Sequence, residues 1–321
     1  MQFYDIDLTK LKRYPIAARK NKVNISQFAQ SSPPERQSSH KTPNIIDLLP
    51  DILMAQDFKE IVQRVGGAHH NGRAVIFALG GHVIKCGLGS IIIDLMRRGI
   101  VNAILMNGAA SIHDFEIAMI GETSEDVLTV LGEGEFGMAE ETGIQHNEAI
   151  NIAAKNNLGL GYSLGKYLCD NSFRYKEYSI LAAAYEMNIP SLVSVAIGDD
   201  ITHMHPEASG AAIGKASHMD FLTLASILPN LADGGVYFNI GSAVILPEVF
   251  LKAFSIVQNL GYDMSGLSTV NMDMISQYRP LTNVVKRPTA RGGKGYNLIG
   301  AHEIMLPLLA NSIIQRIEEQ S

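Results

Sequence analysis

Two stretches of the chain hold side chains whose types and spacing suit catalysis. His203-Met-His205-Pro-Glu207 sets two imidazoles at alternate positions, and on a strand alternate residues point the same way, as a shared metal ion requires. Asp199, Asp200, His113, Asp114, His302 and Glu303 are the further ligands such an ion would draw on, so a metal-dependent hydrolase using His203 and His205 is one reading. The second stretch, Tyr278 to Gly295, is polar, basic and turn-rich, and carries Lys286 directly before Arg287. A neighbouring cation lowers a lysine's pKa and makes its amine a nucleophile. The other reading of the same stretch is a lip of surface charge. Cys86 and Cys169 have no nucleophile motif around them and read as buried structural thiols.

These residues need elements to position them, and the hydropathy pattern supplies a repeating unit. Ala74–Leu79 is a continuous apolar run bounded by Arg73 and by Gly80-Gly81, the pattern of a strand buried on both faces. Ser90–Gly99 then reads as a helix closed by two arginines and a glycine, and Val101–Met106 as a second buried strand. The alternation recurs at Ile180–Met187 with Ser191–Ile197, and at Phe221–Leu228 with Gly235–Ile240. Such repetition predicts an α/β fold: a mostly parallel, Rossmann-like sheet with helices on both faces. An apolar pattern from Ile45 to Val65 predicts a helical region ending at Gly66-Gly67, and Ile304–Ile317 a closing amphipathic helix.

In an open parallel sheet, ligands bind outside the carboxyl ends of the strands. Gly80, Gly81 and His82 follow the first apolar run, and Asn107, Gly108, His113 and Asp114 follow the second. Asp199 and Asp200 follow the third, Gly241 and Ser242 the fourth, and Asn271 and Asp273 come after Val270. Small residues at such points let backbone N–H groups approach a phosphate or ribose, so the set reads as a crevice of dinucleotide size. Any one of these glycines is equally well explained as a turn residue. The G-x-G-x-x-G fingerprint is absent in intact form, because Gly80-Gly-His-Val-Ile-Lys-Cys-Gly87 has different spacing.

Composition narrows the function classes. With 26 Lys plus Arg against 32 Asp plus Glu and a net charge of −6, the chain lacks the basic footprint of a nucleic-acid binder. No apolar run approaches the roughly 20 residues of a spanning helix, and two cysteines leave no disulfide framework, so the expected location is the cytoplasm. Residues 1–43 read as an N-terminal arm and linker, with a basic cluster from Lys10 to Lys22 and a Pro/Ser stretch from Ser31 to Ser39. Residues 44–321 read as one α/β domain.

Taken in order, these segments resemble the deoxyhypusine synthase family. Phe77 to Gly87 looks like the family's strand and turn beside its cofactor, with Gly-Gly-His-Val-Ile-Lys-Cys-Gly where the family has Thr-Ser-Asn-Leu-Ile-Ser-Ser-Gly. Asn107-Gly-Ala-Ala-Ser-Ile-His-Asp114 stands where the family has Thr-Ala-Gly-Gly-Val-Glu-Glu-Asp. Tyr185 to Asp200 is similar to its Asn-Ile-Pro-Val segment and Thr-Asp-Gly turn, Gly235 to Ser242 to the strand before its triple glycine, Asn271 to the Asn of its Ile-Asn-Thr, and Met305-Leu-Pro-Leu-Leu309 to its closing helix. Leu246-Pro-Glu248 replaces the family's His-His pair, and Lys286 in Asn-Val-Val-Lys is an approximate counterpart of the lysine in Ser-Trp-Gly-Lys.

The resemblance implies NAD as cofactor, a homotetramer, and transfer of an aminobutyl group from a polyamine such as spermidine to an amine or protein lysine through an enzyme-lysine imine. On this reading Lys286, His205 and His113 are catalytic. Gly80, Gly81, His82, Asn107, Gly108, Asp114, Asp199, Gly241, Ser242, Asn271, Asp273 and His302 hold the cofactor, while His203, Asp200 and Glu248 hold the amine. A third reading, from another class, is an NAD-binding regulatory protein without lysine chemistry.

Overall fold

The computed structural model describes residues 45–127 and 136–320. The basic arm and the Pro/Ser linker lie outside the described residues. Six parallel strands form one sheet: β1 (Val75–Leu79), β2 (Ala103–Asn107), β3 (Ser191–Ser194), β4 (Val236–Ile240), β5 (Ser268–Asp273) and β6 (Lys294–Ile299). Their order is β3-β2-β1-β4-β5-β6, so the direction of winding reverses between β1 and β4. The main helices are α1 (Leu53–His70), α2 (Gly81–Lys85), α3 (Gly89–Arg97), α4 (Gly108–Ile120), α5 (Glu140–Asn156), α6 (Leu160–Asp170), α7 (Ile180–Glu186), α8 (Gly210–Ile227), α9 (Ile245–Asn259) and α10 (His302–Gln320).

The unbroken apolar runs follow from burial on both faces of the sheet. Val75, Phe77 and Leu79 pack with residues of α1, α3 and α10, whereas Ile76 and Ala78 pack with α8 and α9. Phe77 meets Phe238 of β4 at 4.7 Å between ring centroids, and on the other face Tyr237 stacks on Phe250 of α9 at 3.8 Å. One polar rung crosses this apolar sheet. Asn239, Asn271 and Asn297 lie at matched register on β4, β5 and β6. Asn239 Nδ2 donates to Asn271 Oδ1, and Asn271 Nδ2 donates to Asn297 Oδ1, both at 2.8 Å.

Three expectations about elements need correction. The first helix runs through Gly66-Gly67 to His70, because Phe58, Ile61, Val62, Val65 and Ala68 bury one face and the bare Gly66 lets Arg316 of α10 lie close. That burial outweighs roughly 1 kcal/mol per helical glycine. Tyr278 to Gly295 is not one loop: a helical turn (Tyr278–Pro280) leads into a π-helix (Leu281–Lys286) and then into β6. Buried Val284 and Val285 anchor it, and Thr269 Oγ1 donates to the Val284 carbonyl at 2.7 Å. The cysteines are half-buried rather than buried, with Cys86 Sγ 3.9 Å from Glu303 Oε2 and Cys169 Sγ 3.6 Å from the Ala182 carbonyl. No helix among the described residues is long and apolar enough to cross a membrane.

Candidate active site

The winding reverses between β1 and β4, and at such a point an open parallel sheet has its ligand crevice outside the carboxyl ends of the strands. There the two backbone segments pass so closely that a Cβ on Gly80 would lie 2.0 Å from the Gly241 carbonyl oxygen, so the first position after β1 has to be glycine. Gly81 opens α2, and Ser242 turns inward, its Oγ accepting from the Leu246 N–H at the start of α9. His302, the first residue of α10, is fully buried, and neither ring nitrogen has a hydrogen-bond partner. Its Nε2 lies 4.0 Å from Asp273 Oδ1 and its ring 5.7 Å from that of His82. Burial holds the His302 pKa below the ordinary histidine value, against the pull of Asp273.

A buried imidazole with both nitrogens unsatisfied is costly. It is the feature of this crevice that fits a polar ligand, and an NAD molecule would be held by Gly81, His82, Ser242, Asp273 and His302. Asn271 does not turn toward a ligand, because both ends of its amide are used in the asparagine rung.

A second concavity of about 810 Å³ begins on the other side of α2. Lys85 of α2, His113 and Glu116 of α4, Glu141 and Thr142 of α5 and the turn after β3 border it. The two regions meet at Gly81, where an added Cβ would touch Ala109 and the His113 ring at 3.2 Å. The wall is apolar at Ile112, Met119 and Phe173 but carries six carboxylates: Glu116, Glu122, Glu125, Glu141, Asp199 and Asp200. Lys85 and His113 are the basic side chains facing them. One of the carboxylates has a fixed local task, since Glu125 accepts from the Gly137 N–H at the rim.

Asp200 is the most unusual of the six. It is 6% exposed, it packs where a Gly108 side chain would stand, and its Oδ2 has no hydrogen-bond partner. Burial first, and then the neighbouring Asp199, push its pKa up to about 7. His203 sits 3.8 Å away and accepts from the Gly198 N–H through Nδ1, an arrangement that keeps it within its own turn. That turn is tied to α5 by Asn147, whose Nδ2 donates to the Thr202 carbonyl at 2.8 Å.

On α4, His113 Nδ1 lies 2.7 Å from Thr123 Oγ1, and the Thr123 hydroxyl donates in turn to Glu116 Oε2. The other Glu116 oxygen accepts from Thr142 Oγ1 at 3.1 Å. Burial works to raise the Glu116 pKa, but the His113 ring 3.8 Å away and the hydrogen bonds from Thr123 and Thr142 hold it below the ordinary value. Thr123, Thr142, Glu116 and Lys85 were not legible as site residues in the sequence. The i,i+3 spacing of His113 and Glu116 on one helix face was the available signal.

Several expected site residues serve the architecture instead. Asp114 is buried and caps α7, accepting from the Ile180 and Leu181 N–H groups at 2.7 and 3.0 Å and from Ser179 Oγ at 2.5 Å. It is not available to a cofactor. Asn107 caps α4 through the Ala110 N–H, and Gly108 is covered by Asp200. His205 is wedged against Gly143 with Nε2 2.9 Å from the Gly137 carbonyl, so His203 and His205 face different partners and do not converge on one ion. Among the described residues no three His, Cys, Asp or Glu side chains form a metal-holding group. Glu248 lies on α9 in a network with Lys252, Arg279 and Asn283, away from the cleft. Lys286 is exposed at the end of the π-helix, and the adjoining Val285 carbonyl packs against Gly295, near the amino end of β6. That is the opposite edge of the sheet from the crevice.

No protein-family model matches the sequence, and no curated protein does. Solved structures do match. A candidate deoxyhypusine synthase from Entamoeba histolytica superimposes with a TM-score of 0.52 at 11% identity, covering 81% of this chain and 87% of that one. The chain has a Rossmann-like α/β fold. Unliganded AgrE matches with a TM-score of 0.50 at 17% identity, over 83% of this chain and 33% of AgrE, so the chain spans about a third of that protein's length. A candidate LOR/SDH protein from Methanococcus maripaludis matches with a TM-score of 0.47 at 19% identity, over 90% of this chain and 74% of that one. At these identities what this chain shares with the first two is the fold.

Proposed function

We propose that this chain is an NAD-dependent enzyme that removes a hydride from a carbon next to the nitrogen of a cationic amine. In its full reaction it passes an aminobutyl or related group from a polyamine such as spermidine to an amine acceptor through an enzyme-lysine imine. The observation that carries the proposal is the junction at Gly81, where the switch-point crevice adjoins a cleft walled by six carboxylates. Bound in the crevice, NAD supplies the two-electron acceptor. Every other task falls to the chain's own side chains.

Asp200 and Asp199 take an ammonium group, for which the buried Asp200 Oδ2, free of hydrogen bonds, is a strong acceptor. Glu122 and Glu141 meet a second amine further along the cleft, and Ile112, Met119 and Phe173 cover the methylenes between them. His113 receives a proton beside the reacting carbon. Lys85 borders the cleft whereas Lys286 does not, so in this proposal Lys85 carries the imine. The deoxyhypusine synthase resemblance alone supports a protein lysine as acceptor and assembly as a homotetramer.

Incubation with NAD and spermidine, borohydride reduction and peptide mapping by mass spectrometry test the proposal. Label on Lys85 is expected. Label on Lys286 would return the role to the lysine that the family resemblance selects. NADH formation without label would reduce the activity to amine oxidation. Calorimetric binding of NAD with no turnover of spermidine or shorter diamines would favour the regulatory reading, and absence of NAD binding would overturn both.

A further inference from the structure

The hydroxyl of Thr123 has one proton and donates it to Glu116, an acceptor-only carboxylate. Toward His113 the same oxygen can then act only as an acceptor, so the 2.7 Å contact requires the proton of the neutral ring to sit on Nδ1. That leaves Nε2 with its lone pair. Nε2 makes no hydrogen bond among the described residues, and the ring borders the cleft next to Gly81. Thr142 holds the second Glu116 oxygen, which keeps the carboxylate from turning away.

We propose that Glu116 and Thr123 are positioning residues that fix His113 as the Nδ1–H tautomer, making Nε2 the base of this cleft. The inference rests on the amine-oxidation proposal for its substrate. Nε2 takes a proton from the substrate's ammonium nitrogen, and the freed lone pair forms the C=N bond as hydride leaves the adjacent carbon for NAD. One proton goes to His113 and two electrons with one hydrogen go to the nicotinamide.

The surroundings of the ring favour a base that gains positive charge during the step. Glu116 lies on its own helix and Glu122 and Glu125 follow that helix; Glu141 comes from α5, and Asp199 with Asp200 from the turn after β3. Lys85 of α2 opposes them. A carboxylate reached through a hydroxyl also stabilises the imidazolium without taking its proton.

Long-range ¹H–¹⁵N spectra of histidine-labelled protein test this without any substrate, His113 being assigned by the signal lost in His113→Gln. In neutral wild-type His113 the Nδ1–H pattern is expected. Thr123→Val should move the ring toward Nε2–H, and Thr123→Ser should restore the wild-type pattern. An Nε2–H pattern in the wild type, or a pattern indifferent to Thr123→Val, overturns the inference even if one of the variants folds poorly.

With NAD and spermidine, Thr123→Val should lower kcat about 10-fold with little change in KM, within the roughly 10²- to 10⁴-fold worth of a general base. Glu116→Gln should move the acid limb of the kcat profile to lower pH, because the imidazolium loses its anion. An unchanged acid limb would overturn the role of Glu116. A wild type that makes no NADH from spermidine sinks the amine-oxidation proposal and leaves the tautomer spectra to decide this one.

Discussion

The two faces of α4 treat similar side chains in opposite ways. Asp114, on the buried face, is saturated by three donors from the start of α7. On the cleft face, two residues later, Glu116 reaches His113 through one hydroxyl and leaves the outer nitrogen of the ring open. Asp200 stands between these cases, buried like Asp114 but without donors at Oδ2. A buried carboxylate whose lone pairs are filled by backbone N–H groups is a cap, and one whose lone pairs are empty is a vacancy for a cation. The difference lies in the partners rather than in the residue type.

Mutations can break this contrast. Asp114→Ala strips the donors at the α7 start of their acceptor inside the core and should cost about 3 kcal/mol of stability. Chemical denaturation measures it, and a loss below about 1 kcal/mol would remove Asp114 from the cap. Asp200→Asn is the next largest and has the opposite sign. A carboxyl whose pKa rises on folding from 3.8 to about 7 stabilises the fold below the unfolded value and loses that contribution as pH climbs toward the folded one. The neutral amide escapes the loss, so Asp200→Asn should raise stability at pH 8 by on the order of 2 kcal/mol and leave it unchanged near pH 3. The same variant should weaken spermidine binding, measured by calorimetry; tighter binding would contradict the ammonium role.

Glu116→Gln sharpens the contrast from the other side. It should shift stability by less than about 1 kcal/mol, since the amide keeps the packing, while kcat falls about 10-fold or more. A thermal melt beside a kinetic assay separates the two effects. Smallest of all, Lys286→Ala should leave both stability and NAD reduction within error of wild type, as an exposed residue on the far edge of the sheet. A large activity loss there would reopen the family-based assignment of the lysine.

Much of the fold was legible because buried parallel strands write themselves as unbroken apolar runs. Ala74–Leu79, Val101–Met106 and Gly235–Ile240 each lie within two residues of the strands found. β6 was missed, because Lys294-Gly-Tyr-Asn-Leu-Ile299 is an edge strand with partly exposed positions and a glycine, and its pattern merges with the turns before it. At the site, sequence could name the strand ends but not the direction of each side chain. His113, Asp200 and Asp199 meet at the cleft, whereas Asp114 lies between them in sequence order and turns inward. Helical phase separates His113 from Asp114, and one residue is about 100° of rotation. Lys286 stands out in the sequence through its neighbour Arg287 and through the family resemblance, but its place is set by Val284 and Val285 anchoring the π-helix at the amino edge.

The asparagine rung across β4, β5 and β6 bears on how the sheet avoids misassembly. An apolar strand slipped by one residue can often find new apolar contacts, but a slip here would bury amide groups away from their matching partners. The rung therefore acts as a register lock, and it reaches the edge: Asn297 Nδ2 lies 3.5 Å from Ser276 Oγ. That contact gives the outermost amide of the rung a partner of its own.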